Sequence, residues 1–179
     1  MKGASGMLGD VVVYRQQRGE LVMANRPTKR SVLTPSQELA KSKFMRAVLY
    51  AKKQVADPVT KAAYQPGPNS RYTSAYAAAV ADYLKVPEIQ DVNTLGYQGV
   101  VGNEIVVRAT DNFKVVSVHV AVFTTDGSLL EQGDALLNDD TIDEFIFKAT
   151  VANAQLAGTK LLVTVRDKPG NIVTQDILL

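Results

Sequence analysis

Enzymatic chemistry near neutral pH needs nucleophiles, acid–base pairs or metal ligands in recognisable spacing, and this sequence offers few. Cysteine is absent, which removes thiolate nucleophiles, thiolate metal ligands and disulfides. His119 is the one histidine, so no histidine pair exists for zinc. It falls inside an alternating strand pattern, opposite a valine face, and no serine stands in G-x-S-x-G. A half-exposed strand residue is a simpler reading of His119 than a general base. Gly3, Gly6 and Gly9 give G-x-x-G-x-x-G ahead of a strand, whereas the dinucleotide fingerprint G-x-G-x-x-G follows one. They read as a flexible leader, and no G-x-x-x-x-G-K-[ST] loop occurs. Asn138, Asp139, Asp140, Asp143 and Glu144 crowd one loop without the register of a calcium loop. Asp111 and Asp167 could meet at one end of a sandwich, but solvated acids are the simpler reading of both groups. Glycoside cleavage by paired carboxylates needs an aromatic-lined cleft, and tryptophan is absent. The expectation is a non-enzymatic protein with no cofactor, no metal and no catalytic residue.

Charge is more informative. Residues 1–85 carry 14 Lys+Arg against 5 Asp+Glu, a net of +9, while residues 86–179 carry 6 against 13, a net of −7. The total of +2 hides this split. On the basic side, Lys43, Arg46, Tyr50 and Lys53 recur at helical spacing, joined by Arg15, Arg18, Arg26, Lys29 and Arg30. Such a row could neutralise phosphates or meet an acidic protein surface, and no helix-turn-helix or other named reader is matched. Head-to-tail contact between copies would bring +9 against −7, a heterologous contact that makes rings or arrays. Neither a bilayer-spanning apolar run nor a signal-peptide core is present, so the expected location is a virion or the cytoplasm, away from membranes.

The elements that must position these groups fall into two parts, an α+β fold. Val11 to Tyr14 and Leu21 to Met23 read as a hairpin turning at Gln17-Arg18-Gly19-Glu20. A lone hairpin is marginal in water and must lie on something. Thr34, Pro35 and Gln37 form a capping box opening a helix over 35–56, with Ala40, Phe44, Ala47, Val48, Ala51 and Val55 as its core stripe. A second long helix is expected over 70–84, with Tyr72, Ala75, Tyr76, Ala79, Val80 and Tyr83 on one face. Pro87 ends it, which sets a boundary between a basic arm with a helical hairpin (1–86) and an acidic β domain (87–179). Seven strands are expected near 88–95, 103–109, 115–124, 128–133, 143–150, 159–166 and 171–178, with Val116, Val118, Val120 and Val122 sharing a face. This is the pattern of an immunoglobulin-type β-sandwich.

Two resemblances bear on the setting. Ala109-Thr110-Asp111-Asn112-Phe113, Asp126-Gly127-Ser128-Leu129-Leu130 and Val163 to Asn171 resemble bacterial and phage immunoglobulin-like modules. Those modules carry an aspartate after the second strand and an Asp-x-x-Gly-Asn turn between the last two. Gly6-x-x-Gly9-Asp10-Val11-Val12-x-Tyr14, Arg18-Gly19, Arg26-Pro27 and Thr34-x-x-Gln37 resemble an uncharacterised family of small Bacteroidota and phage-associated proteins. The resemblances imply a phage or mobile-element origin; with the uncovered hairpin and the charge split, the expectation is a multi-copy structural protein of a phage particle, as a capsid-accessory, head–tail or tail component docking on protein partners. The alternative is a nucleic-acid-binding accessory protein of a mobile element. Docking is expected through Val11, Val12, Val13, Tyr14, Leu21, Val22 and Met23 by strand addition. Arg15, Arg18, Arg26, Lys29, Arg30, Lys43, Arg46, Tyr50 and Lys53 would fix register.

Overall fold

The computed structural model describes residues 6–8, 12–17, 20–26, 32–67 and 70–179. The chain divides into two compact units, Met1–Ala40 and Lys41–Leu179.

In the first unit, the apolar runs Val12–Tyr14 of β2 (Val12–Gln17) and Leu21–Ala24 of β3 (Glu20–Asn25) pair as the expected hairpin, with Tyr14 opposite Met23. A strand not expected from the sequence, β1 (Gly6–Leu8), pairs with β2 through Leu8 opposite Val12 and Gly6 opposite Tyr14. The presumed leader therefore contributes a strand, and β2 is the centre of a three-stranded antiparallel sheet. Val11, Arg18, Lys29 and Arg30 lie outside the described residues, as do Gly3 and Gly9. Helix α1 (Pro35–Ala56) opens on the capping box. The Thr34 amide donates to Gln37 Oε1 at 3.1 Å, and the Gln37 amide donates to Thr34 Oγ1 at 3.3 Å.

In the second unit, α1 buries only Ala47 and Ala51, while Ala40 and Phe44 of the expected stripe are exposed. Asp57 caps the short α2 (Pro58–Ala63) by accepting from the Val59 amide at 3.0 Å. Helix α3 spans Ala75–Leu84, shorter than expected, because Ser74 accepts from the Ala77 amide at 3.2 Å and fixes the start there. Its inward stripe is Ala75, Ala78, Ala79 and Asp82, at i, i+3, i+4 and i+7. The face expected to be tyrosine-rich is therefore rotated: Tyr76 is exposed and Tyr72 precedes the helix.

All seven expected strands are present: β4 (Glu88–Asn93), β5 (Glu104–Thr110), β6 (Val115–Phe123), β7 (Leu129–Leu137), β8 (Glu144–Lys148), β9 (Lys160–Asp167) and β10 (Ile172–Leu178). They form one antiparallel sheet in the order β10-β9-β6-β7-β8-β5-β4, whose two edge strands come together, giving a sandwich-like and nearly closed body. The core is one face of each inner strand: Ile105 and Val107, Val118, Val120 and Val122, Leu161, Val163 and Val165 are all fully buried. Each such side chain contributes about 1.5–3 kcal/mol. Val116 is the exception to the expected valine face. A register shift between Val115 and Ser117 turns it outward, 55 % exposed. The Val86-Pro87 switch joins α3 to β4 inside this unit, so helices and strands share one body rather than separating there.

Candidate functional site

A buried polar junction joins the helices to one end of the sheet. Tyr64, just past α2, is 1 % exposed and stacks on Phe113 of the β5–β6 turn at 4.2 Å between ring centroids. Lys168 Nζ lies 4.4 Å from the Tyr64 ring centre, a cation–π contact. The Tyr64 hydroxyl donates to Asp82 Oδ2 of α3. Its own oxygen lies 2.7 Å from the Tyr50 hydroxyl of α1, and with the Tyr64 proton directed at Asp82, Tyr50 is the donor. Asp82 is fully buried. Burial pushes its carboxyl up to about 7; the Tyr64 hydrogen bond opposes this, and the charges of Asp111 and Asp167 add to it. Asp82 Oδ1 and Asp111 Oδ1 are both buried with no other partner. A proton on Asp82 directed at Asp111 would supply both atoms. Asp111 Oδ2 meanwhile accepts from the Phe113 and Lys114 amides at 2.9 and 3.1 Å.

Asp167 completes the junction from the β9–β10 turn. Its Oδ1 accepts from the Gly170 and Asn171 amides at 2.8 and 2.6 Å, and Asn171 Nδ2 reaches the Tyr83 and Lys85 carbonyls at 3.3 Å. Burial raises the Asp167 carboxyl above the ordinary range, against the Asn171 hydrogen bonds that lower it. Asp111 and Asp167 thus do meet at one end of the body. Asp82 of α3, which the sequence analysis did not single out, stands among them. Among the described residues no group of three or more acids or histidines is arranged to hold a metal ion. The acidic loop is tied down instead by Arg108, 2.6 Å from Glu144 and 3.8 Å from Asp143. His119 pairs across the strands with Asp134 at 2.9 Å on the outer surface.

The basic row separates into inward and outward members. Lys43 Nζ donates to the Leu84 carbonyl at 3.1 Å, capping the end of α3. Tyr50 turns into the junction and lies 5.4 Å from the Tyr83 ring. Arg46 and Lys53 stay exposed, joined by Lys41 and Lys52, which the expected row omitted. Among the described residues no carboxylate lies within ion-pair distance of these four. Between them run Met45 and Leu49, 52 % and 64 % exposed and one turn apart. The outer face of α1 is thus an apolar pair flanked by cations.

In the first unit, Val12, Val13 and Tyr14 have strands on both sides, so their backbone cannot add to a neighbouring sheet. This corrects the expectation for β2. Among the described residues, only the outer edge of β3, carrying Leu21, Val22 and Met23, is open on the hairpin side. Leu21 and Met23 are exposed on the face shared with Tyr14, Arg15 is exposed on the other, and Arg26 is exposed just beyond β3. No described side chain of this sheet is fully buried. No helix among the described residues is long and apolar enough to cross a membrane. No protein-family model matches the chain, and no curated protein or solved structure is significantly similar to it.

Proposed function

We propose that this is a non-enzymatic assembly protein that docks on protein partners through its N-terminal sheet and the cationic outer face of α1. The observation that carries this reading is the sheet β1–β3. It exposes Leu21 and Met23 and encloses no described side chain, so it needs a surface supplied from outside itself. The order β10-β9-β6 beside β8-β5-β4, with β7 bridging them, is the order of an immunoglobulin-type sandwich and supports that assignment for residues 87–179. With the resemblances noted above, it supports a virion setting, as a capsid-accessory, head–tail or tail component present in many copies. Nucleic-acid binding is the second reading, because four cations with no carboxylate in ion-pair distance among the described residues line one helix. It is weaker, since the one aromatic of the row, Tyr50, turns inward and Met45 and Leu49 occupy the exposed ridge.

Light scattering of the whole chain, with and without residues 1–33, tests the reading. A mass that is a multiple of 19.4 kDa and falls to the monomer on truncation is expected. A monomer in both cases would remove it. A salt-dependent shift of duplex DNA by the same monomer would favour the second reading.

A further inference from the structure

The face that complements α1 lies on the same chain. Strand β7 pairs with β6 along most of its length but with β8 only through Leu136 and Leu137. Where the two strands part, β8 continues alone as Phe147 and Lys148, paired on its other side with β5. The parting leaves a groove of about 500 Å³ lined by Gly133, Asp134, Leu136, Asp139, Asp140 and Phe147 among others. Gly133 keeps its floor open, for a Cβ there would stand 3.3 Å from the Phe147 ring. Leu136 is 73 % exposed, and Leu137 beside it is 48 % exposed. Around this apolar strip the charge is negative. Asp139 and Asp140 have no cation within ion-pair distance among the described residues, and Asp134 meets only His119. The one cation lining the groove, Lys148, is already paired with Glu104 at 3.2 Å.

We infer that this groove receives the Met45–Leu49 ridge of α1 from a second copy of the chain, with Arg46 and Lys53 or Lys41 and Lys52 set against Asp139 and Asp140. The inference rests on the assembly reading and names one of its contacts. The complementarity is twofold. An apolar pair one helical turn apart faces an exposed apolar strip, and four cations face two carboxylates, none of the six ion-paired among the described residues. Helix ridge and groove are different surfaces, so the contact is heterologous and propagates from copy to copy into rings or filaments. It also makes use of the opposite charge of the two halves, +9 and −7, which a self-complementary helix-to-helix contact would oppose.

Charge reversal on the full chain tests it by sedimentation velocity across a concentration series. Arg46→Glu with Lys53→Glu reverses the ridge; Asp139→Lys with Asp140→Lys reverses the groove. All four positions are exposed. Each double variant alone is expected to stay monomeric where the wild type associates, its self-affinity at least about tenfold weaker. An equimolar mixture of the two is expected to associate again, because each supplies the intact or reversed face the other needs. Recovery in the mixture also shows that both variants are folded. Several results would overturn the contact: a wild type monomeric at every concentration, groove variants that assemble unchanged, or a mixture that stays monomeric. So would a ridge that serves only to bind duplex DNA, or one covered by the chain's own N-terminal sheet. If truncation of residues 1–33 dissolves the assembly while the groove variants do not, the groove contact falls and the assembly reading stands. If the groove variants dissolve it and truncation does not, the groove contact stands and the role of the N-terminal sheet falls.

Discussion

Asp82 keeps its proton to a higher pH in the fold than in solvent, because burial disfavours its charged form. In an unfolded chain an aspartate titrates near about 3.9, and in the fold this one titrates at about 7. Between those values the unfolded chain gives up a proton that the folded one keeps, so the Asp82 contribution weakens folding as pH rises. It is most favourable below about pH 4 and is lost by about pH 7. Asp82→Asn keeps an acceptor for Tyr64 and a donor for Asp111 without titrating. We expect it to stabilise the protein by about 1–3 kcal/mol at pH 8 and to leave stability at pH 4 nearly unchanged, measured by urea unfolding followed through tyrosine fluorescence. Asp167 adds a slope of the same sign, so the informative quantity is the difference between wild type and variant. A difference independent of pH would show that Asp82 is ionised in the fold. Tyr64→Phe should cost about 1–3 kcal/mol by leaving Asp82 Oδ2 and the Tyr50 hydroxyl without their partner. At Gly99, with φ at +77° and a Cβ position 2.2 Å from the Asn153 carbonyl oxygen, Gly99→Ala should cost about 3 kcal/mol or more.

Elements are fixed by signals of different range. Caps are local, so Thr34 with Gln37 could be read from spacing, and both of their hydrogen bonds are present. Ser74→Ala should cost about 1 kcal/mol and fray the first turn of α3, seen as lost far-ultraviolet helical signal and a lower Tm. Turn glycines are local too: Gly127 and Gly170 take positive φ in the Asp126-Gly127-Ser128 and Pro169-Gly170-Asn171 segments between strands. The seven strands of the body followed from period-two patterning, with ends displaced by a few residues. What the sequence concealed depends on partners distant in the chain. The apolar count of α1 and α3 admits several inward stripes, and alanine packing selected the one that carries Asp82 and brings Tyr50 inside. A charged residue ordinarily marks a solvent face, and only the Tyr64 hydroxyl and the facing Asp111 make Asp82 tolerable within. Strand β1 escaped notice because three residues that begin on Gly6 and run into Gly9 carry no alternation to detect. The β7–β8 groove was equally hidden, since it arises where one strand changes partners.

At the scale of the whole molecule, the proposed contact sets the cationic outer face of α1 against the acidic groove of another copy. Association should therefore weaken with added salt, by about tenfold or more between 50 and 500 mM sodium chloride, read as a falling weight-average mass in light scattering. Association insensitive to salt would mean that the apolar strips alone hold the copies together. The buried junction has a mechanical corollary. If one copy grips the next by its first helix and is gripped in turn by its strands, part of the tension along such a filament crosses each subunit through the Tyr50–Tyr64–Asp82 hydrogen bonds. Alkaline solution, by taking the proton from Asp82, would then loosen one of the ties between helix and sheet in every link of the string.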